Sequence, residues 1–298
     1  TLNVNEVYLS TVVDLNGGSE NDIFNLTASG SDSFGYLSPL NNDPNLPPDD
    51  AVAASRQLYL DGGANGAAIT PDIEQGVELS AAPNQYPIEL TVPGIPVGDT
   101  VNVDASAGTS PLDLRYAITG AAEGVFATTT PSDPRSTTGN EVFETDSIET
   151  LNFVGSTAND VLTLTSELTY DVAATAQRIA FVGAGGTDKL EIIGTTGPDE
   201  ITVGDTLDSV EPFEIDAVEF VRVESGEGDD QVVIRNGVTS VINTLDGSDI
   251  VAGGSGQDLI TGGPDVDYLF GRGGNDVLYI DQNLGENTPS IVGGEIID

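Results

Sequence analysis

GGSGQDLIT (residues 253–261) is followed at once by GGPDVDYLF (262–270) and GRGGNDVLY (271–279), and is preceded by TLDGSDIVA (244–252). Aspartate recurs at Asp249, Asp258, Asp267 and Asp276, nine residues apart each time. A strict short period marks a repeat architecture, in which each unit buries its apolar face only by stacking on its neighbours. Each unit reads as a six-residue, glycine-rich turn followed by a three-residue strand with an apolar middle residue: Val251, Ile260, Leu269 and Leu278. Those four residues point into one core.

Working backwards, RNGVTSVIN (235–243) fits the same frame with Ser240 at the aspartate position, and SGEGDDQVV (225–233) fits with Asp230; one inserted residue separates the two. If two nonapeptides make one coil, residues eighteen apart stack on the same side. One column is then Asp230, Asp249 and Asp267, weakened at its first step by the insertion, and the other is Ser240, Asp258 and Asp276.

Further upstream a longer signature survives, with apolar residues nine and seven before a turn aspartate and two and four after it. Alternation places each pair on one face of a strand. It frames Asp160 (Leu151, Phe153, Leu162, Leu164), Asp188 (Ile179, Phe181, Leu190, Ile192), Asp199 (Leu190, Ile192, Ile201, Val203) and, in the N-terminal half, Asp22 and Asp99. Degenerate copies put Ser110 and Ala67 at the aspartate position, and those turns are expected to bind no metal by themselves. Two proline-bearing stretches, 31–55 and 119–147, break the rhythm and read as irregular loop excursions. The expected organisation is a degenerate solenoid over 1–147, regular β-helix coils over 148–224, and a roll with a C-terminal strand over 225–298.

Charge points to the ligand. Eight Lys and Arg stand against 49 Asp and Glu, a formal net charge of −41. Such a fold repels itself unless cations intervene, and it offers no basic face to nucleic acid or an anionic membrane. No apolar stretch is long enough to insert into a bilayer. Cysteine, histidine, methionine and tryptophan are absent, which excludes disulfides, thiolate-held zinc, and imidazole acid–base chemistry. Calcium, by contrast, takes six to eight oxygens at about 2.3–2.6 Å and mixes carboxylates with backbone carbonyls. Gly253, Gly254 and Gly256 are expected to adopt left-handed angles that aim carbonyls at one point, with Asp258 supplying the anionic oxygen. The candidate ligands are Asp230, Asp249, Asp258, Asp267 and Asp276 with Gly253, Gly254, Gly256 and Gly274; Asp246 and Asp265 stand off position and assist. Asp22, Asp160, Asp188 and Asp199 are candidates in isolated turns. No catalytic residue is expected. Asn25-Leu26-Thr27 is a glycosylation triplet.

The C-terminal repeat resembles the RTX, or haemolysin-type, calcium-binding nonapeptide GGxGxDxUx, where U is a large apolar residue. Residues 253–261 match in full; Thr244 and Leu245, Asp265 and Arg272 depart from the glycine positions in the neighbouring units. The resemblance covers about forty residues. It implies an all-β, right-handed parallel β-solenoid, a β-helix passing into a calcium β-roll, that binds several Ca2+ ions and is exported to the bacterial cell surface or beyond. The leading expectation is a structural subunit of a surface layer, filament or matrix, with calcium, copies of itself in a head-to-tail or lattice assembly, and a cell-surface glycan as partners. A calcium-dependent polysaccharide-active β-helix enzyme and the calcium-binding segment of a larger toxin or adhesin stay open as alternatives. Thr1 is not an initiator, so a processed chain or a fragment is expected.

Overall fold

The computed structural model describes residues 2–4, 13–17, 21–27, 58–62, 98–120, 122–127, 141–166, 177–205, 212–279 and 290–291. Among these the chain forms strands and turns and no helix. The strands of the first half are β1 (Leu2–Val4), β2 (Val13–Asn16), β3 (Ile23–Thr27), β4 (Leu58–Asp61), β5 (Thr100–Asp104), β6 (Asp113–Gly120), β7 (Glu123–Ala127), β8 (Glu141–Asp146), β9 (Thr150–Val154) and β10 (Val161–Ser166). Those of the second half are β11 (Arg178–Val182), β12 (Lys189–Ile193), β13 (Glu200–Asp205), β14 (Phe213–Asp216), β15 (Phe220–Glu224) and β16 (Gln231–Ile234). They continue through β17 (Thr239–Asn243), β18 (Ile250–Ala252), β19 (Asp258–Thr261), β20 (Tyr268–Phe270), β21 (Val277–Tyr279) and β22 (Ser290–Ile291).

Two eleven-stranded sheets result, and from β15 onward the chain crosses from one to the other at every turn. Pairing is parallel, which a crossing chain requires, since each return to the same sheet runs in the same direction. The alternating apolar residues stack in register: Val101 on Leu151 on Ile179 in the first sheet, and Leu114 on Leu162 on Leu190 on Val221 in the second. All of these are buried in one continuous core. The N-terminal strands β1 to β4 belong to the same two sheets as the C-terminal repeats.

Two expectations are corrected. The described parts of 119–147 are not an irregular excursion: β7 and β8 lie within them, and β7 is inserted antiparallel between β6 and β8. Tyr116, Phe126 and Phe143 sit opposite one another across these strands. Phe126 stacks on Phe143 with ring centroids 4.7 Å apart and on Phe153 of the facing sheet at 5.4 Å. This aromatic packing holds the hairpin in the sheet. Gly124 is required beside it, because a Cβ there would lie 2.2 Å from the Tyr116 ring. Nor are the coils of 148–224 regular. In the first sheet β14 lies between β11 and β13, so the chain steps forward to β13 and then back before proceeding to β15. The stretches 31–55 and 128–140, and Ala67, lie outside the described residues.

On the outer face of the first sheet, Asn152 donates to Asn102 (2.8 Å) and Asn102 to Asn25 (2.7 Å). The glycosylation triplet's asparagine is therefore engaged in a cross-strand ladder.

Candidate metal sites

The turns that precede the strands set the site. In four of the six-residue turns of the second half, positions two and four both take left-handed angles: Ala184 and Gly186, Gly226 and Gly228, Leu245 and Gly247, Arg272 and Gly274, with φ between 64° and 144°. Gly263 and Asp265 do the same at 93° and 83°. The turn of 253–258 differs from expectation, because Gly253, Gly254 and Gly256 are not left-handed. What they supply is close approach. A Cβ at Gly254 would stand 2.0 Å from the Asn236 carbonyl oxygen, and one at Gly256 would stand 2.1 Å from that of Val238.

The turn aspartates point inward and form ladders. In the first column the backbone N–H of Asp199 donates to Asp230 Oδ1 (2.9 Å), that of Asp230 to Asp249 Oδ1 (2.8 Å), and that of Asp249 to Asp267 Oδ1 (3.1 Å). In the second, Ser240 Oγ donates to Asp258 Oδ1 (2.7 Å), and the Asp258 N–H to Asp276 Oδ1 (3.1 Å). Farther up the same side, Leu112 N–H donates to Asp160 and Asp160 N–H to Asp188, both at 2.7 Å. Asp22 N–H donates to Asp99 on the opposite side. The insertion before 235–243 leaves the Asp230–Asp249 step intact; its effect falls on the other side. There Phe220 pairs with Thr239, which sets Val238 opposite Glu219, whereas Asp258 pairs with Ser240 two residues on. The second column is thus interrupted at Val238. The first is interrupted at Gln177, whose Nε2 donates to the Ile148 carbonyl (2.9 Å) and to Tyr116 Oη (3.1 Å).

Asp99, Asp160, Asp188, Asp199, Asp230, Asp249, Asp258, Asp267 and Asp276 are buried, Asp22 is half-buried, and Asp246 and Asp265 are exposed. The last two therefore hold their carboxylates outside the ladders. Burial raises the carboxyl pKa of Asp249 to about 7, with Asp230 and Asp267 adding repulsion. Asp99 and Asp188 rise to about 6, again through burial first and then neighbouring carboxylates. Asp160, Asp258 and Asp267 are raised by the same burial. The Oδ2 atoms of Asp99, Asp188, Asp249 and Asp276 are buried and accept no hydrogen bond. An ionised oxygen in that position is costly unless a cation meets it.

The donor set fits calcium. At Gly253, a Cβ would lie 2.4 Å from Asp258 Oδ2 and 2.8 Å from the Gly271 carbonyl oxygen of the next coil. Gly155 repeats this with Asp160 Oδ2 at 2.5 Å and the Gly183 carbonyl at 2.9 Å. A carboxylate and a carbonyl, both acceptors, thus converge on space that only glycine leaves open. Among the described residues no group of three or more acidic side chains could hold a metal together, so backbone carbonyls must complete any shell. Calcium accepts such a mixture, whereas zinc takes a compact set of four side chains.

Two residues in these ladders were not evident from the nine-residue period. Glu149 Oε2 accepts from Asp99 N–H, and Glu219 Oε2 from Asp188 N–H, each at 2.7 Å. Each glutamate takes the place of an aspartate in the next coil, and each closes a tight turn, Asp146-Ser147-Ile148-Glu149 or Asp216-Ala217-Val218-Glu219. The signal was present as a second short motif, Asp-Ser/Ala-Ile/Val-Glu, which occurs a third time at 208–211, outside the described residues.

The architecture and these turns define a class: a two-sheet parallel β protein whose stacked turns bring buried carboxylates against backbone carbonyls. Residues 243–278 match the family model of the RTX calcium-binding nonapeptide repeat, in four copies. No curated protein and no solved structure matches the chain. The family match takes in Asp249, Asp258, Asp267 and Asp276 and leaves the ladders from Asp22 to Asp230 outside it.

Proposed function

We propose that this chain is a calcium-binding structural protein of the bacterial cell exterior, a right-handed β-solenoid whose turns hold several Ca2+ ions and whose copies assemble into a layer, filament or matrix. The reading rests on one observation above all: two ladders of buried aspartates pass through the RTX repeats with carboxylate and carbonyl oxygens converging at glycine. Calcium between the stacked turns offsets the repulsion of a chain carrying −41. A non-enzymatic role accords with the state of four of the eight basic groups. Arg178 pairs with the buried Glu214, Arg222 with Glu224, and Lys189 with Glu191, while Arg115 is buried. These groups are committed to structural contacts. Assembly accords with the sheet ends, where β1 and β2 are the first strands among the described residues and β22 and β21 the last; an edge strand offers unpaired backbone groups to another chain. Glycan on the cell surface is the expected anchoring partner.

Calorimetric titration of the chelated chain with calcium tests the binding, and electron microscopy with light scattering tests assembly. The expected outcome is saturable uptake of several ions, with larger particles in millimolar calcium than in EDTA. A chain that takes up no calcium overturns the reading; one that binds calcium and stays monomeric overturns its assembly part.

A further inference from the structure

The two tight glutamate turns share a geometry that neither the nonapeptide period nor the family match includes. Ser147 and Ala217, each two residues ahead of the glutamate, have φ of 55° and 51°. At Gly62, a Cβ would lie 2.1 Å from the Ser147 carbonyl oxygen and 2.4 Å from Asp99 Oδ2. At Gly183, the corresponding distances are 2.1 Å to the Ala217 carbonyl oxygen and 2.4 Å to Asp188 Oδ2. The backbone contacts repeat as well. Glu149 and Thr150 donate to the Asp99 carbonyl, and Glu219 and Phe220 donate to that of Asp188, at 3.0–3.2 Å. One arrangement has therefore been built twice, on opposite edges of the stack.

In both copies the oxygens are acceptors when the carboxyl is ionised and cannot then bond to each other. Lying 2.1 and 2.4 Å from a common point, they are at most about 4.5 Å apart, within the span of two oxygens on one calcium ion. Asp99 and Asp188 are both 0% exposed, and the Oδ2 atom aimed at this gap accepts no hydrogen bond in either. The same approach of carbonyl and carboxylate occurs at Gly194, 2.0 Å from the Ser225 carbonyl and 2.6 Å from Asp199 Oδ2; what the two tight turns add is the glutamate, a second carboxylate at the adjacent coil. In the second copy the exposed Glu219 and Ala217 also border an open cleft of about 520 Å³, with Asp216, Asn236 and Thr239 on its walls. The cleft lies where the second column is interrupted at Val238, on the far side of the glutamate turn from Asp188.

We propose that the Asp-x-apolar-Glu turn, set against a glycine turn, is a second type of calcium site in this protein, with one ion between Asp99, the Ser147 carbonyl and Glu149 and another between Asp188, the Ala217 carbonyl and Glu219. The inference builds on the calcium reading above but concerns residues outside the RTX repeats. Both sites lie in five-residue-strand coils with full cores, so losing an ion there leaves the sheets in place.

The test is the number of calcium ions bound per full chain, measured by equilibrium dialysis. D99N/D188N is expected to bind two fewer ions than the unmodified chain, and D258N/D276N to lose ions independently. E149Q/E219Q, which changes one exposed and one half-buried side chain, is expected to weaken two ions about tenfold without unfolding the chain, and it decides the matter if D99N/D188N does not fold. Loss in D258N/D276N together with an unchanged count and affinity in the other two variants overturns the second site type alone. No calcium on the unmodified chain overturns the calcium reading itself.

Discussion

The coils of 98–166 and those of 244–279 belong to the same two sheets and are stabilised differently. In the first group β5, β9 and β10 have five or six residues and each buries two large apolar side chains, such as Val101 and Val103, Leu151 and Phe153, or Leu162 and Leu164. In the second, β18, β20 and β21 have three residues and bury one or less: Val251, Leu269 and the partly buried Leu278, flanked by exposed Ile250, Tyr268, Val277 and Tyr279. Burying a large apolar side chain stabilises by about 1.5–3 kcal/mol, whereas ordering each backbone residue costs about 1–2 kcal/mol. A six-residue turn on a three-residue strand thus orders much chain for little core. On the proposed function, ions supply in the nonapeptide coils what hydrophobic contacts supply in the earlier ones, within the same two sheets.

Chelation is the strongest way to break this comparison. Each ion bound only to the folded state contributes about 1.4 kcal/mol at a tenfold excess over its dissociation constant, and stacked sites add. In EDTA, amides of 244–279 should lose hydrogen-exchange protection while those of β5, β9 and β10 keep theirs. Simultaneous loss in both segments would show one cooperative unit rather than two regimes. The complementary perturbation is Phe153→Ala, which removes a ring packed on Phe126 and should cost about 3–5 kcal/mol. Urea unfolding should give the same loss with and without calcium, and a loss confined to the chelated protein would contradict the assignment of this region's stability to its core.

Two smaller effects sharpen the comparison. Asp258→Asn should weaken calcium binding about tenfold, roughly 1.4 kcal/mol, whereas the exposed Asp246→Asn should change it less than about twofold, both read by calorimetry. Equal losses would mean that the inward ladder is not the site. The last concerns pH. Asp99, Asp188 and Asp249 titrate at about 6, 6 and 7 in the fold, above the ordinary carboxyl value. The calcium-free fold therefore holds protons that the unfolded chain releases, and the stability they contribute is complete at low pH and is lost as pH rises through 6 to 7. In EDTA and enough salt to screen the net charge, the melting temperature should rise from pH 8 to pH 5. In saturating calcium the trend should flatten or reverse, because protons then compete with the ion. A parallel trend in both conditions would show that these carboxyls do not meet calcium.

The inserted residue near 234 is visible in the sequence, whereas the place where the fold absorbs it is not. The nonapeptide frame places its effect at the Asp230–Asp249 step, which the structure keeps at 2.8 Å. The slip was taken up by the short turn before β17, because Val232 and Val251 are held opposite each other by burial in the core while that turn is free to shorten. The pairing of β7 with β8 is hidden from the sequence for a related reason. Their apolar residues stand side by side, Val125-Phe126-Ala127 and Val142-Phe143, instead of alternating, and Phe126 acquires meaning only from Phe143 and Phe153, which come from other strands.

By itself, then, the sequence determined what is local and periodic: the nonapeptide turns, the inward apolar residue of each short strand, the alignment of Asp249 with Asp267 and of Asp258 with Asp276, and the oxygen chemistry that suits calcium. These follow from a fixed repeat length, which specifies its own stacking partner. Tertiary structure alone decided which strand lies beside which after an insertion, the reversal of β13 and β14, and that the Asp-Ser/Ala-Ile/Val-Glu motif sets Glu149 and Glu219 into the aspartate ladders. The length of an excursion does not encode where the chain returns; that is settled by the packing of side chains contributed from distant coils, and with it the position of every carboxylate that the returning strand carries.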